Sequence, residues 1–276
     1  MIARVAALTG ARGARITERV QSLWSGYGEI VRVALDGGIA PTAIVKHVQP
    51  PPARSSISDT RKRRSYDVEE RFYREFAPRC ESRVARLYGS HVEPGEWLFV
   101  LEDLDAAGFV GRHDDARGPA LDACLAWLAS FHARFLGDAG EGLWPVGTYW
   151  HLDTRRDELS KITDRYLRTH AEAFDARLNT ARFQTILHGD PKEANFCFAR
   201  DRVAAVDFQY AGRGCAMRDV AYLLHGHADP GAHLDTYFGH LAAALPEGAA
   251  AIEREWRGLY DDARLDFERF LAGWQR

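Results

Sequence analysis

Cysteine is scarce: Cys80, Cys124, Cys197 and Cys215 are the four in 276 residues, with no Cys-x-x-Cys pair and no metal-ligand spacing. That argues against a disulfide framework or a zinc ribbon, and the four fit a reducing compartment as small buried apolar side chains. Long apolar runs are also missing. None reaches the ~18 residues that a membrane span needs. The N-terminal MIARVAALTGARGAR is broken by Arg4 and Gly10, so it does not read as a signal peptide. The net charge is only −3, which gives no whole-protein pull toward nucleic acid or an anionic membrane. Repeats and low-complexity tracts are lacking as well. What remains is 46% hydrophobic and 27% charged residues, the balance of a globular protein long enough for one large domain or two lobes. A cytoplasmic protein is expected, its oligomeric state open.

The chemistry concentrates in residues 187–209, LHGDPKEANFCFARDRVAAVDFQ. Phe196 to Phe198 and Val203 to Val206 read as two short strands joined by a turn at Arg200-Asp201. A hairpin there brings Asn195 and Asp207 together at its open end. An amide and a carboxylate, both hard oxygen ligands, then face one point, which suits Mg²⁺ beside phosphate. Asp190 lies five residues before Asn195, in a loop set by Gly189 and Pro191. Read alone, the stretch is equally a hairpin with polar ends.

Upstream, Ile16 to Gln21 reads as a strand or short helix. Beyond Gly26-Tyr27-Gly28, Ile30, Arg32 and Ala34 alternate with Val31, Val33 and Leu35, as a half-buried strand does. Asp36-Gly37-Gly38 turns the chain into the strand Ala43 to Val48. A glycine turn between strands can offer backbone N–H groups to phosphate, although two glycines alone are a weak signal. Lys46 stands in that otherwise apolar strand, either solvated or buried and paired. Ser65 is the expected N-cap of a helix ending before Pro78, with the loop from Pro50 to Thr60 ahead of it and Arg61-Lys62-Arg63-Arg64 solvated and disordered. Within the helix, Glu69 shares a face with Phe72, Tyr73 and Phe76, which makes it the inward carboxylate and the partner for Lys46. Glu70, four before Arg74, forms an exposed ion pair.

Trp97 to Leu101 is a buried strand ending in Glu102-Asp103-Leu104. A helix from Ala120 to Leu136 aligns Leu121, Cys124, Leu125, Leu128, His132 and Phe135 on one stripe, where His132 reads as a core histidine bonded to backbone. A second helix is expected from Arg155 to Leu178, burying Leu159, Ile162 and Tyr166. Asp219 reads as an N-terminal cap that braces the loop around Asp190. Ile252 to Trp274 forms a last amphipathic helix with an aromatic stripe.

These signals together resemble the aminoglycoside phosphotransferase and choline kinase-like superfamily, nearest its ecdysteroid kinase-like branch. The resemblance rests on the glycine turn, Val45-Lys46, Glu69 ahead of Phe72-Tyr73, and Leu101-Glu102-Asp103-Leu104. It continues through Leu128-Ala129-x-x-His132-Ala133, His188-Gly189-Asp190, Asn195 and Asp207-Phe208-Gln209. Lys192 inside the loop and a short C-terminal lobe are departures. The resemblance implies an α+β, bilobal protein kinase-like fold. An N-lobe of antiparallel sheet plus one helix, residues 1–104, would bind nucleotide. A mainly helical C-lobe, 105–276, would carry the catalytic loop and the acceptor site.

It also implies ATP and Mg²⁺, with Asp190 as base, Lys192 near the γ-phosphate, and Asn195 and Asp207 on the metal. Gly26, Tyr27, Gly28, Lys46, Glu69, Glu102 and Leu104 would hold nucleotide. The partner would be a small-molecule hydroxyl acceptor, its identity open among choline, aminoglycoside, sterol-like and other compounds. Asp114, Asp115, Asp153, Asp229 and Asp235 can attract a cation, and Trp144, Tyr149 and Trp150 can stack on one, yet both groups equally fit plain surface and core. The rival reading is a catalytically silent nucleotide-binding pseudokinase or interaction module. A protein kinase is disfavoured, since no Ala-Pro-Glu follows Asp207.

Overall fold

The computed structural model describes residues 1–23, 26–52 and 57–274. The chain divides into two compact units. One comprises Met1–Arg79 and Val84–Val110, the other Cys80–Arg83 and Gly111–Arg276.

The first unit is built on a five-stranded antiparallel sheet. Its strands are β1 (Gly13–Ser22), β2 (Gly28–Asp36), β3 (Thr42–Val48), β4 (Leu87–Glu93) and β5 (Glu96–Glu102), in the order β1-β2-β3-β5-β4. The period of two decides what each face carries. Val31, Val33 and Leu35 of β2 join Ala43, Val45, Leu98 and Val100 in one cluster, closed by Val5 of helix α1 (Ile2–Thr9). The expected single helix on the sheet is therefore two. Val5 of α1, with Ile2 and Leu8 packed beside it, roofs one sheet face.

The second helix, α2, spans Ile57–Arg71 and continues as a π-helical turn over Phe72–Phe76. It starts eight residues before the expected Ser65 cap, and the basic run 61–64 lies within it rather than in a disordered loop. Arg and Lys are good helix formers, and Arg63 Nε reaches Asp59 one turn back at 2.9 Å. Part of the anticipated loop, residues 53–56, lies outside the described residues, as do Trp24 and Ser25. Trp97 Nε1 on β5 donates to Asp67 at 2.7 Å, and Ser90 on β4 donates to Glu70 at 3.1 Å. Glu70 is thus buried, and its pair with Arg74 is only half exposed.

The second unit is mainly helical. Helix α3 (Pro119–Arg134) buries the whole anticipated stripe, including His132. The predicted helix from Arg155 is interrupted: α4 (Arg156–Leu159) stops, and α5 (Arg165–Asn179) restarts with Asp164 capping the Leu167 amide at 3.0 Å. The break rotates Tyr166 outward to 53% exposure, so it is not a core residue, whereas Ile162 is buried. Strand β6 (Thr185–Leu187) leads into the central loop. The hairpin of β7 (Phe196–Phe198) and β8 (Val203–Ala205) follows, and β9 (Gly212–Gly214) returns to pair with β6. Helices α6 (Met217–Leu223), α7 (Pro230–Ala244) and α8 (Ala249–Gly273) complete the unit. Trp256, Tyr260, Phe267 and Phe270 of α8 are buried, but Leu271 and Trp274 end the stripe in solvent.

None of the four cysteines forms a disulfide. Burial pushes the Cys80 and Cys215 thiols up to about 12, so neither carries appreciable thiolate near neutrality. Native protein treated with iodoacetamide at pH 8 should therefore remain unmodified at both positions, read by intact mass before and after denaturation. Among the described residues, no helix is long and apolar enough to cross a membrane.

Candidate active site

In the first unit, β3 points Lys46 away from the cluster that holds Val45. The ammonium instead meets helix α2: Lys46 Nζ lies 2.9 and 2.7 Å from the two carboxylate oxygens of Glu69. Lys46 is 5% exposed and Glu69 1%. A lone ammonium at that depth would be untenable, and the bidentate contact is what permits it. Tyr66 offers its ring face to the same ammonium at 5.8 Å.

The glycine turn precedes β2. Gly28 has φ 145°, and a Cβ there would fall 2.0 Å from the His47 carbonyl oxygen, so the close approach of β2 to β3 admits only glycine. Gln49 N donates to the Tyr27 carbonyl at 2.7 Å, and Leu23 N to that of Gly28 at 2.8 Å.

At the other end of the sheet, the Glu102 amide bonds the Arg86 carbonyl at 2.8 Å, and Leu104 is buried. Arg32 of β2 donates through Nε to Asp103 at 2.9 Å and pairs also with Asp105 and Glu18. This anchor for the Glu102–Leu104 segment was missed in the sequence. Its only local trace is an arginine on the polar side of an alternating strand.

In the second unit, the loop from His188 is held from beneath. Asp219, in the first turn of α6, accepts the amides of His188 at 2.7 Å and Gly189 at 3.0 Å. Asp219 is thus a brace, but it does not cap its own helix: the residue at that position is Ala216. His132 Nε2 lies 3.2 Å from Asp219, and its Nδ1 lies 2.9 Å from the Tyr237 hydroxyl. Its ring partners are side chains rather than the expected backbone, and it buttresses the brace. Gly189 has φ 84°, and a Cβ there would meet the Tyr210 carbonyl oxygen at 2.1 Å. Burial holds the His188 pKa below its ordinary value, and its Nε2 contacts the Val206 carbonyl at 3.1 Å. Neutral and locked, His188 is a structural pin and not a base.

Asp190, Lys192 and Asn195 converge. Asp190 Oδ2 accepts from Lys192 Nζ at 3.0 Å and Asn195 Nδ2 at 3.1 Å, and Asn195 Nδ2 also bonds the Asp190 carbonyl at 2.8 Å. Asp190 Oδ1 is buried and meets no donor in hydrogen-bonding geometry among the described residues, and the Tyr222 hydroxyl lies close enough to the carboxylate to favour its ionised form. Burial raises the Asp190 pKa to about 6; Lys192 lowers it and the Asp207 charge raises it. Across the hairpin, Val206 N bonds the Asn195 carbonyl at 3.0 Å, tying the Asp207 strand to the loop. Asp207 takes φ 70°, a costly conformation outside glycine, and Gln209 Nε2 donates to its Oδ1 at 2.8 Å. Asn195 gives its nitrogen to Asp190, so its Oδ1 is the end able to ligate a cation. A carboxylate and an amide oxygen form a hard donor set that fits Mg²⁺.

The aromatic residues around the loop do not form an open cage. Trp150 is fully buried on Tyr222 and Phe267, and Trp144 stacks on Tyr210 at 6.2 Å. Tyr149 lies nearest the loop, its amide bonding the Gly189 carbonyl at 3.1 Å. Of the five surface aspartates, Asp115 gathers with Glu193 and His227, their ligand atoms within 4.8 Å of one another. Asp153 pairs with Arg156 and Asp235 with Arg257, while Asp229 caps α7.

A buried lysine–glutamate pair on an antiparallel sheet, with a braced Asp-x4-Asn loop and hairpin aspartate in a helical unit, defines a kinase-like phosphotransferase. The chain belongs to the Phosphotransferase enzyme family, APH, whose sequence profile matches residues 21–258. It is a phosphotransferase of that family. No protein of curated function matches its sequence. Among solved structures, amicoumacin kinase hAmiN in complex with AMP-PNP, Ca²⁺ and Ami superposes with a TM-score of 0.56 at 15% identity, over 92% of this chain and 80% of that one. An aminoglycoside-3'-phosphotransferase of type VIII gives 0.52 at 14%, over 94% and 97%. A putative fructosamine-3-kinase from Thermobifida fusca gives 0.51 at 20%, over 97% and 98%. At these identities the likeness establishes the α+β kinase-like fold alone.

Proposed function

We propose that this chain transfers the γ-phosphate of ATP, with Mg²⁺, to a hydroxyl of a small molecule. The observation that supports it most is Asp190, which has one carboxylate oxygen held by Lys192 and Asn195 and the other buried with no donor in bonding geometry among the described residues. That second oxygen is an acceptor for a substrate O–H. In phosphoryl transfer the protein chiefly positions groups and offsets charge. Asp190 orients the hydroxyl and takes its proton. Lys192 keeps Asp190 ionised and, by the family resemblance, reaches toward the γ-phosphate. Asn195 and Asp207 are the residues that would hold Mg²⁺, which when bound neutralises charge on the phosphates. Lys46, fixed by Glu69, is assigned to the α- and β-phosphates. Gly26, Tyr27 and Gly28 are assigned to the phosphate-covering turn, and Glu102 to Leu104 to the adenine.

On this reading residues 1–104 serve nucleotide and 105–276 serve the acceptor. The order of motifs favours the choline kinase-like, ecdysteroid kinase-like branch, and four cysteines outside any disulfide favour a reducing cytoplasm. The test is ADP release with Mg²⁺ and ATP against a panel of hydroxyl compounds. Acceptor-stimulated release supports the enzyme; tight Mg²⁺-dependent nucleotide binding with no release from any acceptor favours the silent pseudokinase.

The pH dependence follows from Asp190, whose ionised form accepts the proton. The value of kcat/KM should fall as pH drops through about 6 or somewhat below, since a bound cation offsets the Asp207 charge that raises it. Lys192 lowers the Asp190 pKa, so Lys192→Ala should move this acid limb to higher pH. A limb that stays put in that variant would remove Lys192 from the account.

A further inference from the structure

Helix α2 carries more than Glu69. Asp59 in its first turn, Lys62 and Arg63 one turn on, Tyr66 after another, then Glu69 and Glu70 lie along one stripe at spacings of three and four. Each member of the stripe meets the turn, the sheet or a neighbour within the stripe. The Tyr27 hydroxyl, 6% exposed as a residue, donates to Asp59 Oδ1, while Lys62 Nζ lies 4.8 Å over the Tyr27 ring. Asp59 is itself buried, and its other oxygen accepts from Arg63 Nε at 2.9 Å. Arg63 Nη2 in turn bonds the Pro51 carbonyl at 2.6 Å. At the far end, Glu69 grips Lys46 and Glu70 accepts from Ser90. The distance along the helix from Asp59 to Glu69 is about 15 Å at 1.5 Å per residue.

We propose that α2 sets the glycine turn and Lys46 in mutual register for nucleotide, with Asp59 a positioning residue that acts on the turn through Tyr27. The inference rests on the reading that the turn and Lys46 hold nucleotide. It accounts for the side chain of Tyr27, which points into the helix rather than into solvent, and for the basic run on α2, whose cations Lys62 and Arg63 grip Tyr27 and Asp59. A turn freed from Asp59 would sample more conformations and bind phosphate less well, while Lys46 stayed paired to Glu69.

The experiment is titration calorimetry of the full chain with ADP and Mg²⁺, alongside thermal denaturation. Tyr27→Phe and Asp59→Ala should each weaken the dissociation constant about tenfold, the scale of one hydrogen bond to a charged group. Because both remove the same contact, the double variant should be no weaker than either single one to within about twofold. Asp59→Asn keeps an oxygen for the Tyr27 hydroxyl and should retain most of the affinity. A merely structural role would lower the melting temperature and leave the dissociation constant alone. Tyr27→Phe binding as tightly as wild type, multiplicative losses in the double variant, or Asp59→Asn as weak as Asp59→Ala would each overturn the inference. A wild-type chain that binds no nucleotide would overturn the proposed function along with it, so the two failures are separable.

Discussion

Asp190→Asn is expected to lower kcat by about 10²- to 10⁴-fold, the usual contribution of a positioned general base, with little change in stability. The substitution is isosteric. It keeps an oxygen that can accept the Lys192 and Asn195 hydrogen bonds, and it relieves the burial of a charge whose pKa has already risen to about 6. What disappears is proton affinity at Oδ1. Nucleotide binding should persist, because the residues assigned to the α- and β-phosphates and the adenine lie in the first unit. Circular dichroism and ADP affinity measured beside turnover separate lost chemistry from lost fold. Turnover within tenfold of wild type would leave Asp190 without a catalytic role.

Glu69→Ala is expected to cost about 3–5 kcal/mol, because it removes the bidentate carboxylate that neutralises the buried Lys46 ammonium. Against a total of roughly 5–15 kcal/mol for a folded protein, that is enough to unfold a large fraction on mild warming. Two effects compete in the intact pair. Attraction at 2.7–2.9 Å favours folding, and desolvation of two ions opposes it. For buried pairs the two nearly cancel, so replacing both partners by apolar residues is often neutral. Lys46→Met combined with Glu69→Leu should accordingly be more stable than Glu69→Ala alone, yet inactive and poor at binding ATP. Urea denaturation of the three proteins tests this directly. If the double variant is the least stable, the pair is a stabilising element first and a phosphate-binding device second.

What could be seen in the sequence was what local periodicity encodes. The β7–β8 hairpin showed through two apolar triplets around Arg200-Asp201, and the inward placement of Glu69 through its spacing to Phe72, Tyr73 and Phe76. The start of α2 did not show. Ser65 mimics an N-cap, and four consecutive cations look like a solvated loop until Asp59 and Tyr27 are seen to engage them. The α4–α5 break at residues 160–164 carries no proline or glycine, so the exposure of Tyr166 had no local signal. Apart from the Lys46–Glu69 pair, the contacts that close over long separations had no local pattern to reveal them. Arg32 reaches Asp103 and Tyr27 reaches Asp59, and His132 finds Tyr237 and Asp219 from helices later in the chain. None of these pairs leaves a spacing pattern, because each depends on where the fold brings the chain back. The brace at Asp219 was half legible: an acidic residue opening an apolar helix suggested a cap, whereas its carboxylate turns to the amides of His188 and Gly189.

The central claim, phosphoryl transfer at Asp190, is tested most directly by acceptor-stimulated ADP release in wild type and Asp190→Asn side by side, with Mg²⁺, ATP and a panel of hydroxyl compounds. At least one acceptor should stimulate the wild type, and that stimulation should fall about 10²-fold or more in the variant, with ADP affinity retained. Equal stimulation in both proteins would contradict it.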